Sequence, residues 1–95
     1  MKKVLKYILA LLLLCIGMSE VSAQQMKERG WVRKGNRQYK RENFDGSIES
    51  YQKALQYDPT SFEAKYDLAS ALYRAKRFDK AEKTLLSMVN DTTRT

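Results

Sequence analysis

The sequence predicts an all-α fold in which two tandem helix–turn–helix units follow an N-terminal signal helix. Three observations predict it. Tyr39, Phe44 and Asp45 recur 34 residues later as Tyr73, Phe78 and Asp79, and Lys40, Gly35 and Ser47 are answered by Arg74, Ala69 and Ala81. A period of that size marks stacked helix hairpins, which offer an extended surface to partners rather than a closed pocket. The apolar residues between the turns fall at helical spacing, as in Phe78, Ala81, Leu85 and Met88. Finally, the first 23 residues have the make-up of an export signal. The chain therefore divides into a signal peptide (1–23), two repeats (24–91, with units at about 28–61 and 62–91) and a disordered polar tail (92–95).

The signal has three parts. Lys2 and Lys3 give the positive start, Tyr7 to Met18 is an unbroken apolar run, and Val21-Ser22-Ala23 is a small-residue cleavage site. The run is shorter than the ~20 residues a helix needs to span a bilayer. Cleavage near Ala23 is expected, which sends the remainder to the periplasm or cell envelope; an uncleaved anchor is the alternative. Leu14 precedes Cys15 where a lipidated cysteine requires a small residue, so Cys15 reads as apolar filler. Without Cys15 the processed chain has neither cysteine nor histidine, which excludes disulfides, thiol chemistry and ordinary zinc sites.

The formal charge of +7 falls to about +5 once Lys2, Lys3, Lys6 and Glu20 are removed. The excess is concentrated in Lys27, Arg29, Arg33, Lys34, Arg37, Lys40 and Arg41, against the single acid Glu28.

The first repeat helix is expected over about Gln25 to Arg41, with Glu42-Asn43 as the turn. Asn43 is an N-cap for the second helix, and Asp45 suits its positive end. Gly46 weakens that first turn. The second helix runs to about Tyr57, because Pro59 disfavours the helical region for Asp58. Thr60-Ser61-Phe62-Glu63 fits a capping box, with Thr60 as N-cap of a third helix reaching about Ala75. Lys76-Arg77 then turns the chain into a fourth helix, Phe78 to about Asn90.

Laid over one another, the two units resemble the tetratricopeptide repeat. Trp31, Gly35, Tyr51, Ala54 and Pro59 hold that pattern's places in the first unit, with Lys34, Gln38 and Ser47 in the remaining ones. Lys65, Leu68, Ala69, Leu72, Ala81, Leu85 and Met88 hold them in the second. The resemblance covers about Glu28 to Asn90. It implies close helix crossings at Gly35 with Ser47 and at Ala69 with Ala81. It also implies a core containing Trp31, Phe44, Tyr51, Leu55, Leu68, Leu72, Phe78 and Leu85. Together with the signal, Arg33 to Tyr39 and Leu68 to Tyr73 resemble exported repeat proteins of the aerotolerance-associated Bat group. That likeness implies work at the bacterial envelope in tolerance of oxidative stress.

By the geometry of that family, the first helix of each pair lines the hollow side. The residues expected to line a partner-binding groove are Arg29, Val32, Arg33, Asn36, Tyr39 and Lys40 in the first unit. Tyr66, Ser70, Tyr73 and Arg74 are their counterparts in the second, with Glu63 beside them. Tyrosines with Asn and Arg suit an extended peptide. Some members grip a terminal carboxylate with a Lys and an Asn on one helix; Asn36 fills the Asn place, while Val32 stands at the Lys place. An acidic or carboxylate-bearing peptide is expected near Arg29, Arg33, Asn36 and Lys40.

A protein or peptide partner is thus the expectation, without catalysis, cofactor or metal, since no carboxylate pair has a defined partner and no phosphate-cradling loop is present. The alternative is binding of anionic membrane or nucleic acid by the basic first helix. Export argues against nucleic acid, and membrane contact would come only through an uncleaved signal. Two repeats make a thin core and no sealing helix follows Asn90, so truncation or self-association through the last helix is expected.

Overall fold

The computed structural model describes residues 2–93, and their side chains except at 14–21 and 91–93. Four helices account for the chain outside its turns: α1 (Lys2–Lys40), α2 (Phe44–Tyr57), α3 (Phe62–Arg74) and α4 (Phe78–Thr93). No strand occurs among the described residues.

The first helix differs from expectation. Instead of starting near Gln25, it runs unbroken from Lys2. The reason is local: the stretch Gln24 to Arg29 consists of helix formers, no proline precedes Pro59, and isolated Gly17 and Gly30 each cost only about 1 kcal/mol. At 1.5 Å per residue such a helix is roughly 58 Å long, which sets the 65 Å long dimension of the molecule. Val4, Leu5, Ile8, Leu11 and Leu12 are exposed along it. No described helix is long and apolar enough to cross a membrane. The side chains of Cys15 and Val21 lie outside the described residues.

Both hairpin turns close in the same way. The Asn43 N–H donates to the Gln38 carbonyl at 2.9 Å and Glu42 N–H to Tyr39 at 2.9 Å; 34 residues on, Arg77 donates to Leu72 at 2.8 Å and Lys76 to Tyr73 at 3.0 Å. This paired pattern satisfies the last carbonyls of a helix and needs one left-handed residue after it. Glu42 (φ 63°) and Lys76 (φ 64°) supply it, although neither is glycine.

Helix α2 begins as expected, with Asn43 Oδ1 accepting the Gly46 N–H at 3.1 Å. Gly46 is more than a weak helix residue. A Cβ there would lie 2.5 Å from Asn43 Nδ2 and 2.8 Å from Gln38 Nε2, so a larger residue would have to push these two side-chain amides aside. The helix ends at Tyr57, and Asp58 is extended (φ −140°, ψ 91°) ahead of Pro59.

The expected capping box at α3 does not form. Ser61, not Thr60, is the N-cap and accepts the Ala64 N–H at 3.2 Å. Thr60 is held instead by Asp58, whose carboxylate accepts both its N–H (3.0 Å) and its hydroxyl (2.7 Å). This turn around Pro59 shifts the cap by one residue, which places Ala64 rather than Glu63 at the third helical position. Helix α4 extends past Asn90 to Thr93, and the rest of the expected tail lies outside the described residues.

The helices pack in chain order, α1 on α2, α2 on α3 and α3 on α4. Val32, Ile48, Tyr51, Ala54, Ala64, Leu68, Ala71, Leu72 and Ala81 form the core, with Trp31 and Leu55 half-buried against it. The crossing residues Gly35, Ser47, Ala69 and Ala81 are all buried. At Gly35 the close neighbour is the ring of Tyr51, whose Cε1 would lie 2.5 Å from an added Cβ. Two expected core residues are surface residues: Phe78 is 54 % exposed and Leu85 46 %. Helix α4 packs chiefly on α3 and leaves Leu85, Leu86 and Val89 exposed.

Candidate functional site

Helices α1 and α3 lie to either side of a hollow whose floor is the Tyr51 side chain of α2. Asn36, Tyr39 and Lys40 come from α1, and Tyr66, Asp67 and Ser70 from α3; the cavity measures about 420 Å³. A second cavity of about 310 Å³ adjoins it, sharing Tyr39, Tyr66 and Ser70 and adding Tyr73, Arg74, Ala69, Ala81 and Leu85. Together they make one groove across the two hairpins. Seven of the ten residues expected to line a groove are brought together here: Asn36, Tyr39, Lys40, Tyr66, Ser70, Tyr73 and Arg74.

The other three are elsewhere. Val32 is 2 % exposed and belongs to the core, because its turn of α1 faces the packed interior. Arg29 and Arg33 line a separate hollow of about 640 Å³ beside Glu28, Asp58 and Glu63. Arg29 is ion-paired there with Glu63, its counterpart one repeat later. That carboxylate raises the Arg29 pKa, chiefly by hydrogen bonding, then by its charge, with Glu28 adding to it. The expected cationic cluster of Arg29, Arg33, Asn36 and Lys40 is therefore not assembled. Its two arginines line the other hollow, Arg29 paired with Glu63, and its other two members stand in the groove.

Within the groove, orientation is fixed from below. The Tyr51 hydroxyl donates to Asn36 Oδ1 at 2.6 Å. With its carbonyl engaged, Asn36 keeps its amide N–H groups to donate to an acceptor such as a peptide carbonyl. Tyr39 is braced edge-on by Phe44 (5.2 Å between centroids, 73°), and Tyr73 by Phe78 in the same way (5.2 Å, 70°). Arg74 lies over the Phe44 ring at 5.3 Å, and Arg77 pairs with Asp45 at 3.0 Å, so the end of α3 is tied to the start of α2. Tyr39 and Tyr73 thus stand on braced supports, which limits the entropy a ligand must remove from them on binding.

Two groove residues were missed by sequence reasoning. Tyr51 is a core residue whose hydroxyl reaches the groove floor. Asp67 is a carboxylate on the α3 side, at the repeat position held by Arg33 in the first unit. Burial raises the Asp67 pKa, and Glu63 adds to the rise. The Tyr51 pKa is raised strongly, first by burial and then by the charge of Asp67. The only signal for Asp67 in the sequence was its place one residue after Tyr66, which helical spacing alone does not distinguish from a solvated face.

The basic residues of α1 have structural uses outside the groove. Lys27 lies over Tyr57 at 5.5 Å, while Lys34 and Lys53 lie over the Trp31 ring at 5.0 and 4.5 Å. Glu28, buried, accepts the Ser61 hydroxyl at 2.6 Å and so joins α1 to the start of α3. Among the described residues no group of His, Cys, Asp and Glu is placed to hold a metal ion.

Comparison with known families matches residues 38–94 to the tetratricopeptide repeat. The match spans the last turn of α1 and the helices after it. No curated protein matches the chain. No solved structure matches it.

Proposed function

Since this chain belongs to the tetratricopeptide repeat family, whose members generally mediate protein–protein interaction, we propose that it is a non-catalytic docking module. In this reading the α1–α2 and α3–α4 hairpins are two tandem units, and an extended segment of a partner protein lies along their shared groove. The observation that carries the reading is the row Tyr39, Tyr66 and Tyr73 along the two adjoining cavities, with Asn36 beside it accepting the Tyr51 hydroxyl. Aromatic side chains braced in this way are the usual anchors of a binding surface.

Panning a random dodecapeptide library against the full chain tests it. Selected peptides are expected to lose roughly 30-fold in affinity on Tyr39→Ala with Tyr66→Ala, the scale of a small hot spot. Unchanged affinity in a folded double variant would place binding elsewhere.

The setting we propose is the bacterial envelope, with the signal removed after Ala23. Lys2 and Lys3, the apolar run and the small residues before Gln24 support it. N-terminal sequencing of the protein recovered from an envelope fraction is expected to begin at Gln24. The likeness to Bat-group proteins supports a role in complexes for tolerance of oxidative stress. Loss of the chain is then expected to lower survival under peroxide. Self-association belongs to the same proposal, through the exposed Leu85, Leu86 and Val89 of α4; light scattering on the full chain and on Leu86→Glu measures it.

A further inference from the structure

We propose that the groove takes a lysine or arginine side chain of the docked segment, held against Asp67 between the rings of Tyr39 and Tyr66. The inference rests on the docking function proposed above and names the chemistry that its occupant must carry.

Sequence charge alone points the other way, towards an acidic ligand. The structure moves the arginines out of consideration. Arg29 is already ion-paired with Glu63, and Arg33 lines that separate acid-rich hollow. What remains on the α3 wall of the groove is Asp67, half-buried and lining the 420 Å³ cavity. It makes no hydrogen bond or ion pair with any described residue. Lys40 lines the same cavity and makes no ion pair with it. A carboxylate that has lost part of its water and gained no cation is stabilised by a cation arriving from outside.

The walls suit that cation. Two tyrosine rings, one from each side, offer faces on which an ammonium or guanidinium group with its methylene stem packs. Burial, with the charge of Glu63 adding to it, has pushed the Asp67 pKa up, which agrees with a carboxylate lacking a cationic partner. The charged and titratable groups around it are Glu63 on its own helix, Lys40 and Tyr39 from α1, and Tyr51 from α2. Of these only Lys40 is cationic. It stands on the α1 side, leaving Asp67 for the ligand and itself available to a carboxylate or carbonyl farther along the segment.

Library panning against the full chain and its Asp67→Asn and Asp67→Lys variants provides the test. Peptides selected by the parent chain are expected to be enriched in Lys or Arg. A chosen lysine peptide is then synthesised with its Lys→Met counterpart. The parent is expected to prefer the lysine form by about tenfold, within the usual range of coupling between contacting groups. Asp67→Asn is expected to bind both forms equally, at the affinity of the parent for the Met form. Asp67→Lys is expected to select acidic residues instead, which gives a second reading should either variant lose stability on melting. Selection without basic residues, or a lysine preference that survives Asp67→Asn, overturns this inference and leaves the groove function standing. Failure of the parent chain to select any peptide overturns both.

Discussion

Phe44 and Tyr51 on α2, and Phe78 and Leu85 on α4, hold the same places in the 34-residue repeat, yet their surroundings differ. Tyr51 is 2 % exposed, packed between α1 and α3 at the groove floor, while Leu85 is 46 % exposed. Arg74 covers Phe44, and no described residue covers Phe78 in that way. The other end of the molecule shows the reverse. Ala64, Leu68 and Ala71 on α3 are buried, and the positions one repeat earlier on α1 are Gly30, Lys34 and Arg37, all exposed. The first unit is thus polar where it has no neighbour, whereas the second remains apolar there. In a stacked array the neighbour, and not the repeat position, decides what is core.

The largest expected effect contrasts the two equivalent residues. Tyr51→Ala removes a buried ring and its hydrogen bond to Asn36, with a cost of about 3–5 kcal/mol, as for other large aromatic truncations. Leu85→Ala is expected to cost under about 1 kcal/mol, since its outer side already faces water. Thermal melts of the two variants followed by circular dichroism measure the difference. Equal losses would mean that α4 is covered in solution.

The crossings sharpen this into a pairwise rule. Gly35 faces the Tyr51 ring, and one repeat later Ala69 lines a cavity with Leu85. The larger side chain is matched by the smaller crossing residue. Gly35→Ala places a methyl 2.5 Å from Tyr51 Cε1, and the overpacking is expected to cost about 1–3 kcal/mol. Adding Tyr51→Leu to Gly35→Ala recreates the pair of the second unit. The double variant is expected to be more stable than the sum of the single losses predicts, measured as a double-mutant cycle by urea unfolding.

A smaller effect is expected at the turns, where the two units are alike. Glu42 and Lys76 both sit at positive φ, a conformation that disfavours a residue with a Cβ. Glu42→Gly and Lys76→Gly are each expected to raise stability by roughly 0.5–1 kcal/mol, net of the greater freedom of glycine in the unfolded chain. Unequal gains in urea unfolding would show that the turns differ through their side-chain contacts.

Much of this was legible in advance. The period of 34 and the Asn43 and Pro59 signals give the hairpins, because turns and caps are local chemistry. Continuity of α1 was not legible because the expected boundary near Ala23 was placed on small residues, which carry no helix stop. The cap at Ser61 was missed because Thr60 is captured by Asp58, a competition between two acceptors that spacing does not resolve. Seven of the residues that the likeness to the tetratricopeptide repeat implied for a groove line the two adjoining cavities. Val32 was misplaced because its helix is buried on more of its circumference than an isolated pair would be. Asp67 was overlooked because a single acid on a helix is usually solvated, and only the tertiary approach of α1 makes its position a cavity wall.

The smallest expected effect is one of pH, and it separates Asp67 from its repeat counterpart Arg33, which lines a different hollow. Burial, with help from Glu63, raises the Asp67 pKa above its ordinary value of 3.8. The folded state therefore binds this proton more tightly than the unfolded state does. The contribution favours folding below the unfolded pKa and is lost as pH rises through the folded one, so at neutral pH the charged Asp67 opposes folding. Asp67→Asn is accordingly expected to stabilise the ligand-free chain at pH 7 and to make no difference below pH 3.8. Arg33→Gln, at the counterpart position in that other hollow, is not expected to reproduce this stabilisation at pH 7. If Asp67→Asn destabilises the free chain at pH 7, the carboxylate already has a partner in solution, and the groove is not waiting for one.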